Sequence, residues 1–550
     1  MKLTKKHFYL LLLIPILFIG TAFTKTDKYF EIVRNLDIFA TLYKEVNTYY
    51  VDEVNPSKLM NTGIEAMLAS LDPYTNYIAE DDIEDYRTHM TGQYGGIGCV
   101  IGNREEKCIV LMPYEGFPAH KAGFTIGDEI IAVDGIIIKD KNTNDISKIL
   151  KGQAGTPVKI TIQKVGKTTT EELVLARERI QIKNVPYYGM VNPTTGMIKL
   201  SEFTGNATQD VRKALQELTK KGAKSIILDL RGNPGGLLNE AISISNLFVN
   251  KDELIVSTKG KISEWNKEYF AMDIAEDATI PVAVLINSRS ASAAEIVSGV
   301  IQDYDRGVIV GQRSFGKGLV QATRPLSYNA QMKITTAKYY TPSGRCIQAI
   351  DYSNRNEDGS VGKIPDSLQH IFKTEHGRIV RDGGGVLPDL IVEKATLPAV
   401  VVSLVNHNLL FDYATQFYIT HPSITSAQDF KLSDSDYDQF MQWLKGKEYE
   451  YDTQIEKTLT QLEAESKEEK YYEVIKDQLE AFKQKLKHSK EQDILTFKED
   501  IKRVLEEEIV SRYYLQKGII EASFKYDLEL KEAIRVLANQ AEYTKILSGK

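Results

Sequence analysis

Two apolar runs of strand length, Ser225-Ile-Ile-Leu-Asp-Leu230 and Pro281-Val-Ala-Val-Leu-Ile286, limit the architecture of this chain more than any other feature. Neither alternates polar with apolar residues, so each reads as a strand covered on both faces. Each is followed by a turn of small residues and then by an apolar helical stripe. The first stripe holds Leu237, Leu238, Ala241, Ile242 and Leu247, and the second holds Ile296, Val297, Val300 and Ile301. Strand, turn and helix repeated in this way predict crossover units and a mostly buried α/β sheet over residues 181–396.

The flanking stretches read differently. Residues 26–91 predict helices, with Phe39, Leu42, Tyr43 and Val46 at helical spacing and a turn at Leu71-Asp-Pro-Tyr74. Over residues 92–180, short β-like runs such as Ile109-Val-Leu-Met112 and Val158-Lys-Ile-Thr-Ile162 alternate with glycine turns, which predicts a compact β-rich module. Over residues 397–550 glycine is scarce and charge dominates, while Ile475, Leu479, Phe482 and Leu486 step by four, three and four. That is a helical tail with apolar stripes. Its default role is docking on the chain's own core, with homo-oligomer contacts or adaptor binding as the alternatives. A multidomain α/β protein of this plan accounts for all 550 residues.

Composition narrows function. A net charge of −7, from 68 basic and 75 acidic groups, argues against a nucleic-acid partner. Three cysteines, Cys99, Cys108 and Cys346, exclude a disulfide framework, lack metal-ligand spacing and read as small buried thiols. At the N-terminus, Lys2, Lys5 and Lys6 precede an uncharged, mostly apolar run from Phe8 to Thr24. This is the pattern of an export signal. It serves either as a signal peptide cleaved after Ala22 or as an uncleaved membrane anchor within residues 1–25. Either way the expected location of the body is the cell envelope, in the periplasm or anchored to the inner membrane facing it.

The turn after the second strand, Asn287-Ser-Arg-Ser-Ala-Ser-Ala-Ala-Glu295, puts serines at a helix start. Unpaired N–H groups and the positive end of the helix dipole suit a nucleophile that generates an oxyanion, although serines also cap helices constantly. None of the eight histidines falls in the glycine-rich core turns. The other solution is a lysine made neutral by burial. Lys317, flanked by Gly316 and Gly318 and by apolar residues, is the candidate. The same stretch offers two decoys. Gly311 to Gly318 nearly matches a phosphate-binding loop, but Gly318 stands where the Ser/Thr is needed and a strand-like Leu319-Val320 follows. Ser314 to Lys317 is literally S-x-x-K, but Gly316 weakens any helix and no K-T-G occurs.

These residues resemble the signature of the carboxyl-terminal processing, or tail-specific, serine proteases. The signature reads Ser290-Ala-Ser-Ala-Ala-Glu295, then Gln302-Asp303, then Phe315-Gly-Lys-Gly-Leu-Val-Gln321. Ala294 replaces a second serine of the usual block. The resemblance implies Ser292 as nucleophile, Lys317 as general base and Gln321 as the base's support. Asp229-Leu-Arg-Gly-Asn-Pro-Gly-Gly236 is similar to the family's oxyanion turn, with amides of Gly235 or Gly236 and of Ala293 as donors. The β-rich module resembles a PDZ domain, and Gly96, Ile97 and Gly98 look like its loop for a peptide carboxylate. The resemblance further implies a crotonase- or ClpP-like core, no metal or cofactor, and protein or peptide substrates with accessible C-termini. The module either recognises those tails or gates the site. The competing reading is a catalytically silent PDZ adaptor or scaffold; the complete set of Ser292, Lys317 and Gln321 speaks against it.

Overall fold

The computed structural model describes residues 28–549, apart from 105, 357–359 and 487–489. The expected export segment at residues 1–25 lies outside the described residues. Among the described residues, no helix is long and apolar enough to cross a membrane.

The centre is a six-stranded sheet in the order Tyr187–Met190, Thr195–Lys199, Ser225–Asp229, Val282–Ile286, Gly307–Gly311 and Leu390–Ile391. Its first pair is antiparallel and the other four pairings are parallel. Every residue of the strands at 225–229, 282–286 and 307–311 is buried. Their alternate side chains feed two separate cores. Ile226, Leu228, Val282, Val284 and Ile309 pack beneath Ala207–Lys220, Leu238–Asn246 and Ala293–Asp303. Ile227, Ala283, Leu285, Val308 and Val310 pack instead against Leu530, Ala533, Val536 and Tyr543. The helices Leu528–Ala538 and Gln540–Ser548 therefore close the second face of the sheet.

The tail expected as one unit over residues 397–550 is thus two. Residues 400–522 enclose their own core around Leu410, Phe417, Tyr437, Phe440, Leu505 and Ile509, whereas the last two helices belong to the central sheet. The reason lies in that sheet's chemistry: a parallel sheet needs both faces covered, and local helices supply only one cover here.

A second, five-stranded sheet lies alongside. The long strand Gln331–Tyr340 pairs with Leu319–Pro325 and Leu254–Gly260, and near its start with Asn76–Ile78 from the N-terminal region. The β-rich module is an antiparallel sheet, Cys99–Arg104, Lys107–Pro113, Glu129–Val133, Pro157–Gln163 and Thr170–Ala176, closed over Val110, Ile130, Ile146 and Ile160. Its entry and exit, Gln93–Gly96 and Glu178–Gln181, zip together as a two-stranded ribbon. The helical domain grips this module from the side: Arg104 ion-pairs with Asp412 at 2.7 Å and stacks on Phe411. All three cysteines are free thiols.

Candidate active site

The turn out of Val282–Ile286 is stitched to the turn out of Ser225–Asp229. The Ser290 hydroxyl donates to Leu230 O at 2.8 Å and accepts from Asn287 N, while Ala291 N donates to Asn233 O at 2.9 Å. Ser292 caps the helix Ala293–Asp303 with φ 55° and ψ −113°. A non-glycine residue held there carries about 1–3 kcal/mol of strain, a cost that recurs at functional sites. Its hydroxyl has no hydrogen-bond partner among the described residues.

Lys317 sits in a loop with no regular structure, so other groups must hold it. The chief of these is Glu295, fully buried at the third helical position. One carboxylate oxygen accepts Ser314 Oγ (2.5 Å) and Gly316 N (2.7 Å), and the other accepts Ser292 N (2.8 Å) and Lys317 N (2.9 Å). Burial pushes its carboxyl above the usual range against the pull of those donors. Tyr339, 1% exposed, adds a second link, with its hydroxyl 2.6 Å from Lys317 O and 3.1 Å from Ser292 O.

The ammonium of Lys317 lies 4.4 Å from the centre of the Tyr74 ring and makes no ion pair among the described residues. Burial, aided by the nearby Lys333 charge and opposed by Glu295 and Asp72, lowers its pKa from 10.5 to about 8. A lysine in that range is neutral often enough to take a proton. Gln321 donates to Thr335 Oγ1 at 3.2 Å; no hydrogen bond joins it to Lys317 among the described residues.

Gly235 packs so closely on the Ser292 turn that a Cβ there would come within 2.8 Å of both Ala291 O and Ser292 Cβ. Its own amide is already committed to Asn233 Oδ1 at 2.8 Å. The amides of Gly236 and Ala293 have no partner among the described residues, so both are free to donate into the cleft. All six predicted catalytic residues, Ser292, Lys317, Gln321, Gly235, Gly236 and Ala293, line one cleft of about 590 Å³. A larger cavity of about 1030 Å³, between the helix Ile83–Thr91 and the β-rich module, holds none of them.

Gly96, Ile97 and Gly98 lie in the β-rich module, outside this cleft, and are buried. Their loop leads into Cys99–Arg104, an edge strand that pairs on one side only and faces the helix Thr143–Leu150.

Sequence reasoning named Glu295 as a signature letter without a role and missed Tyr339. The first had a legible signal: S-x-x-E at a helix start is a capping box, and its glutamate reaches back to the serine N–H. Ser314, the decoy, is buried with its hydroxyl spent on Glu295 and on Val386 N.

Known proteins match region by region. Residues 194–353 match the model of Peptidase family S41, 109–164 that of a PDZ domain, and 400–537 that of "Probable PDZ-protease, C-terminal helical domain". A carboxy-terminal-processing protease of Bartonella bacilliformis is 38% identical over 323 residues, covering 58% of this chain and 73% of that one. The carboxy-terminal processing protease CtpA of Bacillus subtilis is 32% identical over 306 residues, covering 56% of this chain and 65% of that one. Among solved structures, a photosystem II D1 C-terminal processing protease is 27% identical with a TM-score of 0.36, covering 66% of this chain and 93% of its own. The chain therefore belongs to the carboxy-terminal processing protease family: it is a serine-type peptidase with a PDZ domain and a C-terminal helical domain.

Proposed function

We propose that Ser292 and Lys317 form a catalytic dyad that cleaves exported proteins near their C-termini. Neutral Lys317 takes the Ser292 proton as Oγ attacks a peptide carbonyl. The Gly236 and Ala293 amides hold the oxyanion, and the lysine returns the proton to the leaving amine. Water, deprotonated by the same lysine, then releases the acyl-enzyme. One observation carries this reading: the buried carboxylate of Glu295 binds the backbone of both residues, so nucleophile and base share a single anchor. Apolar walls from Ile78, Leu237, Ile296 and Leu319 suit extended tails with apolar side chains. The free edge of Cys99–Arg104 suits capture of such a tail as an added strand, with its carboxylate on the amides after Gly96. Layers of helix on both faces of a parallel sheet support the crotonase- or ClpP-like reading of the core, and the basic-then-apolar N-terminus supports action in the cell envelope.

The test pairs the full chain with its Ser292→Ala variant on an unfolded protein, following C-terminal loss by intact mass spectrometry. Cleavage by the parent alone is expected; equal cleavage by both refutes Ser292 as the nucleophile.

A further inference from the structure

The last helices do more than cover the sheet. Arg231 stands in the turn that leads to Gly236, its side chain largely buried. Its guanidinium spans three carboxylates. Nε and Nη2 donate to Asp229 at 2.9 Å each, Nη1 and Nη2 to Asp527 at 2.8 and 2.6 Å, and Nη1 to Glu529 at 3.3 Å. Bidentate forks of this kind fix orientation as well as contribute energy. Burial alone would push the Asp229 carboxyl up, but Arg231 and Lys199 outweigh it and hold it well below the usual range.

The same two tail residues reach the other half of the site. Glu529 Oε1 accepts Gln312 Nε2 at 2.8 Å, and Gln312 opens the loop that carries Lys317. Asp527 also caps its own helix by accepting Leu530 N at 2.8 Å. So the strand ends that launch the oxyanion turn and the lysine loop are both fastened, from behind the sheet, to one helix start, 296 residues beyond Arg231 in the first case and 217 beyond Gln312 in the second. The nucleophile turn between them is not: Ser290, Ala291 and Ser292 bond to the two neighbouring turns, to the first turn of the helix Ala293–Asp303 and to Tyr339, and make no hydrogen bond to the last two helices among the described residues.

The geometry points to Asp527 and Glu529 as positioning residues for catalysis, which set the oxyanion turn through Arg231 and the lysine loop through Gln312. This inference rests on the Ser292–Lys317 reading above. It makes the end of the chain a working part of the active site, although neither carboxylate touches the cleft.

The decisive variant is the full chain with Asp527→Asn and Glu529→Gln together. Asparagine keeps the helix cap and glutamine keeps an acceptor for Gln312, so the change falls on the charges that grip Arg231. Arg535→Gln serves as control: it breaks exposed ion pairs to Glu532 and Glu542 within the same two helices, away from the sheet. The readout is the single-turnover cleavage rate at saturating enzyme, with KM from steady state. A merely structural role lowers the folded fraction but leaves that saturating rate unchanged. The expected result is a single-turnover rate lower by about tenfold in the double variant, KM within about twofold, and no change in the control. If the double variant does not fold, Asp527→Asn alone gives the same readout. A saturating rate equal to the parent's, or an equal loss in Arg535→Gln, overturns the inference. Cleavage by Ser292→Ala, run alongside, would instead remove the dyad reading on which it stands.

Discussion

The turn that carries Ser292 and the loop that carries Lys317 face one cleft but are built in opposite ways. The serine turn joins a buried strand to a helix whose eleven residues are all buried, and its backbone bonds to the turn beside it. It can therefore hold a residue at φ 55°. The lysine loop has no regular structure, and it hangs from Glu295, from Tyr339 and from Gln348 Oε1, which accepts Gly318 N at 2.7 Å. The serine turn is set by the secondary structure on either side of it, whereas the lysine loop, though its backbone also bonds to Ser290, Val386 and Ala349, holds Lys317 itself through buried polar side chains. Substitutions at those groups should disable the second half while leaving the first in place.

The largest effect is expected at Glu295. In Glu295→Gln, one of the two acceptor oxygens becomes an NH₂ that faces two donors, either Ser314 Oγ and Gly316 N or Ser292 N and Lys317 N. Buried donors left unpaired cost about 1–3 kcal/mol each, and a displacement of about 1 Å at a reacting group costs about a hundredfold in rate. Cleavage should therefore fall by about a hundredfold, with a lower thermal midpoint. Activity within threefold of the parent would mean that the loop holds itself and that the contrast between the halves is false.

Next in size is the pH dependence. In the proposed mechanism Lys317 acts only when neutral, so kcat/KM should rise about tenfold per pH unit up to a pH near 8 and level above it. The stability consequence has a definite sign. The folded-state pKa lies below the ordinary 10.5, so between about 8 and 10.5 the unfolded chain binds more protons and stability rises with pH. Below about 8 both states are charged, and the fold bears the full cost of the buried ammonium. Lys317→Met should thus abolish cleavage yet stabilise the protein by about 2 kcal/mol at pH 7, the partly open cleft screening the remainder. A flat profile between pH 6 and 9 would sink the lysine's role.

These contrasts also explain what the sequence could disclose. The strands around Ile226 and Val284 were legible because a buried parallel sheet writes itself as unbroken apolar residues. Ser292, Lys317 and the turn of Gly235 and Gly236 could be singled out as candidates from motifs, since small residues and paired glycines are what close backbone approach requires, and the structure brings them to one cleft. What the sequence hid was long-range closure. Nothing local in Leu530, Ala533 and Val536 tells that they cover Leu285 and Val310 rather than a neighbouring tail helix. Nor does Asn233 announce that its side chain consumes the Gly235 amide, because that bond exists only once the turn has closed.

The smallest effect is expected at Ser314, and it sharpens the comparison most. This serine satisfies the S-x-x-K pattern with Lys317, yet its hydroxyl donates to Glu295 and accepts from Val386 N. It braces the lysine loop and has no path to a substrate. Ser314→Ala removes one of four donors from a carboxylate that keeps the other three, and it leaves one backbone N–H unpaired. The cost should be about 1–2 kcal/mol of stability, read as a shift in denaturant midpoint. The saturating cleavage rate should stay within about threefold of the parent, since both Ser292 N and Lys317 N remain tied to Glu295. If Ser314→Ala abolished cleavage while Ser292→Ala did not, the two serines would exchange roles. The strained turn would then be a structural corner and the hanging loop the whole of the catalytic machinery.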